Sequence, residues 1–71
     1  MLESTIRLTL NGEPVAVPAG SSLADLIAGR GDDAQALATA LNGSFVPRAQ
    51  RTHTRLQDGD AVTVFKAIVG G

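Results

Sequence analysis

The sequence contains no cysteine, tryptophan or tyrosine, and only one histidine and two phenylalanines among its 71 residues. The absence of cysteine excludes disulfides, thiolate metal sites and a cysteine nucleophile, and small secreted domains of this size often depend on disulfides. We therefore expect an intracellular, cytoplasmic protein. With 44% hydrophobic residues and so few aromatic ones, the core must consist of Leu, Val, Ile and Ala, which favours a packed fold over disorder.

Net charge and long apolar runs are also scarce. Six basic and seven acidic residues give a formal net charge of -1, which creates no field that would attract nucleic acid. No apolar run approaches the length that spans a bilayer, and the N-terminus lacks the features of a signal peptide. We expect neither a nucleic-acid partner nor a membrane association. The length predicts one domain, residues 1–69, followed by a flexible tail, residues 70–71.

Alternating apolar residues near the N-terminus predict a β-hairpin. The alternation over residues 6–10 is typical of a half-buried strand. Asn11-Gly12 is a strong hairpin signal because both residue types tolerate positive φ, and residues 15–17 return as the partner strand. Pro14 and Pro18 bracket this second strand and therefore predict an edge position in the sheet.

One short helix follows the hairpin. Ser22 is its predicted N-cap, and Asp25 forms a weaker version of the capping box because Asp is shorter than Glu. Gly29 and Gly31 predict its C-terminal end. Three apolar residues at i, i+3 and i+4 form its buried stripe: Leu23, Leu26 and Ile27.

The second half of the chain predicts three further strands. Residues 37–41 and 45–46 flank a second hairpin signal, Asn42-Gly43, and Asp58-Gly59-Asp60 is a turn before the final strand, residues 61–69. The order β-β-α-β-β-β is most simply arranged as one mixed sheet with the helix across one face and the first and last strands parallel in the centre. This α+β arrangement is the β-grasp fold.

The sequence ends on Gly70 and Gly71. Glycine adds no side chain to a core and loses more conformational entropy on ordering than any other residue. Two glycines after a strand therefore indicate a slim arm that can thread a narrow channel and present a carboxylate to another protein's active site. Because the chain has no cysteine and one isolated histidine, Gly71 is the predicted site of chemistry. The chain itself is not expected to be an enzyme.

Four motifs stand in a specific order and spacing. They are Leu41-Asn42-Gly43 with Val46-Pro47-Arg48, then Leu56-Gln57-Asp58-Gly59-Asp60, then Val64-Phe65-Lys66-Ala67-Ile68-Val69, and finally Gly70-Gly71. Together they resemble the ThiS family of sulfur carrier proteins of thiamine biosynthesis, which are ubiquitin-like β-grasp proteins. The resemblance covers nearly the whole chain. Val69 departs from it, since a smaller residue is expected before the glycines.

The resemblance implies an acyl carrier whose cargo is sulfur. A ThiF-like adenylating enzyme would use ATP and Mg²⁺ to convert the Gly71 carboxylate into an acyl adenylate. Sulfur from a donor such as a cysteine desulfurase would displace AMP and give a thiocarboxylate, and a ThiG-like thiazole synthase would receive that sulfur. ATP and Mg²⁺ belong to the activating partner, so this chain is expected to bind no cofactor or metal.

Docking on these partners requires surface residues near the tail. Phe65, Ile68 and Val69 are candidates for an exposed apolar patch, although strand alternation places some of them in the core. Arg48 is a further candidate, while we interpret the basic loop around it as a solvated face because charge runs usually are. The basic residues of that loop are Arg48, Arg51, His53 and Arg55.

Three other functions stay open. The small subunit of molybdopterin synthase has a similar fold and tail but usually a longer chain. A ubiquitin-like modifier joined through Gly71 to lysines of target proteins would use the same adenylate chemistry. A regulatory β-grasp module that binds nucleic acid or a ligand finds poor support in the near-neutral charge and the scarcity of aromatic residues.

Overall fold

The computed structural model describes residues 4–30 and 36–66, in which five strands and one α-helix follow in the predicted order. The elements are β1 (Thr5–Leu10), β2 (Glu13–Pro18), α1 (Leu23–Arg30), β3 (Leu37–Leu41), β4 (Ser44–Val46), a 3-10 helix (Arg48–His53) and β5 (Ala61–Lys66). Within these two ranges, neither helix is long and apolar enough to cross a membrane.

The strands form one mixed sheet in the order β2-β1-β5-β3-β4. β1 and β5 run parallel, and the remaining pairs, β1 with β2, β3 with β5 and β3 with β4, are antiparallel. The predicted central pair of parallel strands is therefore confirmed. β2 lies at one edge, as its two prolines predicted, since a proline cannot donate to a second neighbour.

Both predicted hairpins turn through two residues at positive φ. Asn11 and Gly12 have φ angles of 53° and 84°, and Asn42 and Gly43 have φ angles of 52° and 85°. Positive φ at both central residues defines the tight turn whose twist matches that of the flanking strands. Asparagine and glycine are the residues that reach this conformation at least cost, which is why both turns were predictable.

The two turn asparagines also hold the central strand. β1 pairs with β5 over two residues of each strand, because β1 then turns away at Asn11. Beyond that point the Asn11 Oδ1 accepts a hydrogen bond from the Val64 N–H at 2.9 Å. On the other side, the Asn42 Oδ1 accepts one from the Ala61 N–H at 2.9 Å. Side-chain amides thus satisfy backbone donors of β5 that no strand carbonyl reaches.

The core lies between α1 and one face of the sheet. Leu23 and Ile27 of α1 are almost fully buried, at 0% and 1% exposure. They pack with apolar side chains from the strands and from the segment before β5. The core contains no aromatic residue, as the composition predicted, and its buried hydrophobic members are Leu8, Leu23, Ile27, Leu37, Val46, Leu56, Val62 and Val64.

The helix begins at a complete capping box. The Ser22 N–H donates to the Asp25 carboxylate at 3.0 Å, and the Asp25 N–H donates to the Ser22 Oγ at 3.1 Å, so Asp is long enough here. The predicted C-terminal end, which Gly29 and Gly31 mark together, is confirmed, because α1 ends at Arg30 between them. A Cβ at Gly29 would meet no atom within 4 Å, so this glycine is an exposed position in the last turn. Gly31 lies outside the described residues.

The segment after β4, interpreted from the sequence as a basic loop, forms the 3-10 helix over most of its length. Pro47 precedes it with φ -61° and ψ 151°, and its carbonyl accepts from the Gln50 N–H at 2.8 Å. The Thr54 N–H donates to the Arg51 carbonyl at 3.3 Å at the other end. These tight i to i+3 bonds suit a short polar connector, and they carry no apolar period that a sequence pattern would reveal.

Loss of the capping box should destabilise the fold measurably. We expect Ser22→Ala to lower the free energy of unfolding by about 1 kcal/mol, because the Asp25 N–H loses its acceptor at the helix start. Urea unfolding followed by circular dichroism measures this. Ser4→Ala is the matched control, since Ser4 is exposed and should leave the midpoint unchanged. Equal midpoints for the two variants would contradict a stabilising box.

Candidate functional site

The Gly71 carboxylate, the predicted site of chemistry, lies beyond the described part of β5. Gly70 and Gly71 are outside the described residues, as are Ile68 and Val69, so their predicted roles stay predictions. Lys66 is the last described residue of β5 and pairs with Leu37 of β3. Gly71 is the fifth residue after Lys66, and at about 3.5 Å per residue this length of chain spans at most roughly 18 Å.

The outer face of the sheet, opposite α1, carries an apolar surface. The register places Phe65 opposite Ala38 and Thr63 opposite Ala40, while Phe45 lies opposite Ala40 on the other side. These residues alternate along their strands with buried ones, so all five lie on the same face. We call this set, Ala38, Ala40, Phe45, Thr63 and Phe65, the apolar face.

Both aromatic residues of the chain belong to the apolar face. Phe45 is 66% exposed and Phe65 is 48% exposed, although a phenylalanine buried in a core contributes more to stability than most residues. The residues of β3 between them are alanines, whose small side chains do not fill the space between the two aromatic rings. A contiguous exposed apolar patch is typical of a surface that another protein covers.

Of the four predicted docking residues, the structure describes Phe65 and Arg48, and both are exposed. Phe65 lies on the apolar face, because its neighbour Val64 points into the core. Sequence analysis did not identify Phe45 as a surface candidate. Its alternation with the buried Val46 was a usable signal, but a three-residue strand is too short for its inner face to be read from periodicity alone.

The basic loop is only partly solvated. Arg48, His53 and Arg55 are exposed, which is consistent with a solvated face. The interpretation is wrong for Arg51, which is 4% exposed. Its hydrogen bonds to β3 place its side chain against the sheet, where its long apolar stem packs and its guanidinium finds acceptors.

Arg51 ties the 3-10 helix to β3. Its Nη2 donates to the Leu37 carbonyl at 2.6 Å, and its Nε donates to the Thr39 Oγ1 at 3.1 Å. The Thr39 hydroxyl in turn donates to the Val46 carbonyl at 3.0 Å. Burial lowers the pKa of Arg51, and the positive charge of Arg48 lowers it further. Arg51 therefore holds the start of β3, which is the strand that pairs with the end of β5.

The acidic turn before β5 has a structural role. The Asp58 Oδ1 accepts from the Arg7 N–H at 2.8 Å, and the Asp60 Oδ2 accepts from the Gln57 N–H at 2.7 Å. The prediction of a turn is confirmed. Within residues 4–30 and 36–66, no cluster of three or more His, Asp or Glu side chains could hold a metal ion.

A shallow pocket lies on the outer face at the β1–β2 edge. It has a volume of about 210 Å³ and is lined by Arg7, Pro14, Val15 and Ala16. Sites that enclose small molecules usually have 300 to roughly 1,000 Å³. This pocket therefore does not suggest a substrate site of ordinary size.

Comparison with known proteins identifies the family. The ThiS family model matches residues 7–71, from β1 through Gly70 and Gly71. The chain belongs to the ThiS family. Among solved structures, it is similar to the thiamine biosynthesis protein ThiS from Geobacter metallireducens, with 29% sequence identity and a TM-score of 0.82. That similarity covers 93% of this chain and 100% of the other. No curated protein sequence gives a match.

Membership of the ThiS family confirms the ubiquitin-like β-grasp fold predicted from the element order. The family match includes the described strand β5 and the glycine pair that follows it. In this ThiS-family chain, the apolar face and the route to Gly71 therefore meet on one strand, because Phe65 is the residue before Lys66.

Arg51 and Arg48 should respond very differently to mutation. We expect Arg51→Met to lower the free energy of unfolding by about 2 kcal/mol, because buried acceptors on Leu37 and Thr39 lose a charged donor. Arg48→Met removes the same group from an exposed site and should change stability by less than about 0.5 kcal/mol. Chemical unfolding of both variants measures the difference. Similar values would show that Arg51 is not anchored as described.

Proposed function

We propose that this ThiS-family protein is a sulfur carrier of thiamine biosynthesis, with the Gly71 carboxylate as the group that carries sulfur. The observation that carries the proposal is the extent of the family match, which runs through β5 to Gly71. The name of the similar solved protein, a thiamine biosynthesis protein, supports thiamine rather than molybdopterin synthesis as the pathway.

The proposed chemistry takes place on a partner enzyme. A carboxylate is a poor electrophile, so an oxygen of Gly71 first attacks the α-phosphorus of ATP, and pyrophosphate leaves with Mg²⁺ assistance. A thiol reductant frees hydrosulfide from the donor's persulfide, hydrosulfide attacks the acyl carbon, and AMP leaves. The product is a thiocarboxylate that thiazole synthase can receive. In this scheme the carrier supplies no catalytic side chain and acts as a substrate.

The task of the carrier is positioning. Docking turns the encounter of carboxylate and ATP into a local reaction, which lowers the entropic part of the barrier. Because Gly71 reaches at most roughly 18 Å beyond Lys66, the partner must place its bound ATP within that distance of the end of β5. β5, the strand that leads to the tail, is paired with β1 at its start and with β3 up to Lys66. The sheet therefore fixes the direction of the chain up to Lys66.

The apolar face supplies the docking surface of this proposal. Phe45 and Phe65 are the large exposed side chains, and aromatic residues are enriched among those that dominate binding energy. Ala38 and Ala40 between them allow close approach of a partner's apolar side chains. Arg48 follows the same hairpin at an exposed position and can pair with a carboxylate of the partner.

Gly71 should be essential for the chemistry and dispensable for the fold. We expect Gly71→Ala to abolish thiocarboxylate formation, because a side chain restricts φ and widens an arm that must enter an active site. Intact-mass analysis after incubation with the cognate activating enzyme, ATP and the sulfur donor measures the replacement of oxygen by sulfur. The same spectrum shows whether Gly71 is the C-terminal residue of the isolated protein.

Gly29→Ala is the matched control for the added methyl group. Gly29 lies in α1, where a Cβ meets nothing within 4 Å, so sulfur transfer should be unchanged and the helix slightly more stable. The full mass gain of an oxygen-to-sulfur replacement in Gly71→Ala would contradict the proposal. Adducts joined by isopeptide bonds to other proteins, and lost in Gly71→Ala, would favour the ubiquitin-like modifier.

The apolar face should determine affinity for the activating enzyme. We expect Phe65→Ser and Phe45→Ser each to raise KM for the carrier in ATP–pyrophosphate exchange by roughly tenfold or more, the effect of a binding hot spot. Both side chains are exposed, so the unfolding midpoint should change little. Ala28→Ser, on the exposed side of α1, is the control. An unchanged KM in both phenylalanine variants would move docking to another surface.

A further inference from the structure

The two Asn-Gly turns carry a chemistry that the carrier function does not use. Glycine has no side chain to shield its backbone nitrogen, so this nitrogen can attack the side-chain carbonyl carbon of a preceding asparagine. Asparagine is for this reason among the heat-labile residues of proteins. The chain has this pair twice, at Asn11-Gly12 and at Asn42-Gly43, and the glycines of both pairs are exposed.

The reaction needs only water. In the case of Asn42, the Gly43 nitrogen forms a bond to the Asn42 Cγ while the bond from Cγ to Nδ2 breaks and ammonia leaves with the proton of the Gly43 N–H. Water then opens the resulting cyclic imide. Opening at one carbonyl gives aspartate, and opening at the other gives a β-linked isoaspartate with an extra methylene in the backbone. No oxidant, reductant or metal takes part.

The two asparagines are matched in almost every structural respect. Their φ angles are 53° and 52°, and each turn joins two antiparallel strands. In both cases Oδ1 accepts a hydrogen bond at 2.9 Å from a backbone N–H of β5. An aspartate would retain that acceptor in either position, and any cost of placing aspartate at positive φ is common to both.

The two asparagines differ in the hydrogen bonding of the side-chain nitrogen, Nδ2. The Asn42 Nδ2 donates to the Asp60 Oδ1 at 3.0 Å, whereas the Asn11 Nδ2 has no acceptor among the described residues. Deamidation of Asn42 replaces this donor with an oxygen that carries negative charge, next to the carboxylate of Asp60. Two carboxylates at hydrogen-bond distance repel each other and cannot both ionise without cost.

Asp60 also has few ways to move away. Its Oδ2 accepts from the Gln57 N–H at 2.7 Å, and its backbone carbonyl accepts from the Thr9 N–H at 3.0 Å. The Asn42 N–H donates to the Ala61 carbonyl at 2.7 Å. The contact between Asn42 and Asp60 therefore joins the β3–β4 turn to the start of the central strand.

We propose that Asn42 is a modification site at which spontaneous deamidation to aspartate weakens the fold, while the same conversion at Asn11 is tolerated. In both asparagines the Oδ1 accepts a hydrogen bond from β5. Within the described residues, only in Asn42 does the Nδ2 also donate one, to the Asp60 carboxylate. Deamidation at Asn42 thus removes a contact and adds a repulsion. At Asn11 it exchanges one acceptor for another.

A matched pair of variants tests the asymmetry. Asn42→Asp should lower Tm by roughly 4 to 8 °C, the shift that a loss of about 1 kcal/mol produces in a domain of this size. Asn11→Asp should lower Tm by less than half of that amount. Because both variants add one negative charge and place aspartate at the same φ, equal Tm values would overturn the proposal.

A second substitution tests the assigned cause. In Asn42→Asp combined with Asp60→Asn, the donor and the acceptor exchange places, and the amide introduced at position 60 can still accept from the Gln57 N–H. We expect this double variant to recover most of the lost Tm. A double variant no more stable than Asn42→Asp alone would show that repulsion from Asp60 is not the reason.

Ageing of the unmodified chain tests the modification itself. The purified protein is kept at mildly alkaline pH, separated by ion exchange into species that have gained negative charge, and mapped by peptide mass. The isoaspartate forms are separated and set aside, and we expect the aspartate form at position 42 to have a lower Tm than the aspartate form at position 11. Absence of modification at Asn42 after Asn11 has reacted extensively would overturn its assignment as a site.

Discussion

The pairing of β5 on both sides is the constraint on which the rest of the structure depends. A strand in the centre of a sheet must satisfy its backbone donors in two directions, and here the parallel contact with β1 covers two residues of each strand. Elsewhere along β5, the side-chain oxygens of Asn11 and Asn42 accept hydrogen bonds from the Val64 and Ala61 N–H groups, respectively. The same two residues thus make the hairpin turns and complete the central ladder, which links local turn chemistry to the tertiary fold.

A second constraint is the division of side chains between the two faces of the sheet. Leu, Val and Ile fill the inner face against α1, and this core closes without an aromatic residue. Both phenylalanines lie outside, where they add nothing to the core and form the apolar face. In a chain of 71 residues, which buries only about 60% of its unfolded surface, placing the largest apolar side chains outside favours a role for that surface in binding.

The elements that could be predicted are those with strong local signals. Alternation along β1 and β5, the two Asn-Gly turns and the Ser22–Asp25 box each depend on residues close in sequence, and the structure contains all of them. Prediction was wrong where a distant contact decides. Arg51 is buried because acceptors on β3 lie beside it, and no pattern within the basic loop could indicate these partners.

The sequence by itself determined the order of the elements, the turn types, the composition of the core and, through its motifs, the ThiS-family resemblance. Each of these depends on short-range conformational preferences or on residue order along the chain. The tertiary structure decided that Phe45 joins Phe65 on one face, that Arg51 anchors β3, and that Asn42 differs from Asn11. These outcomes depend on strand register and on contacts between residues 12 to 53 positions apart, which only the assembled sheet brings together.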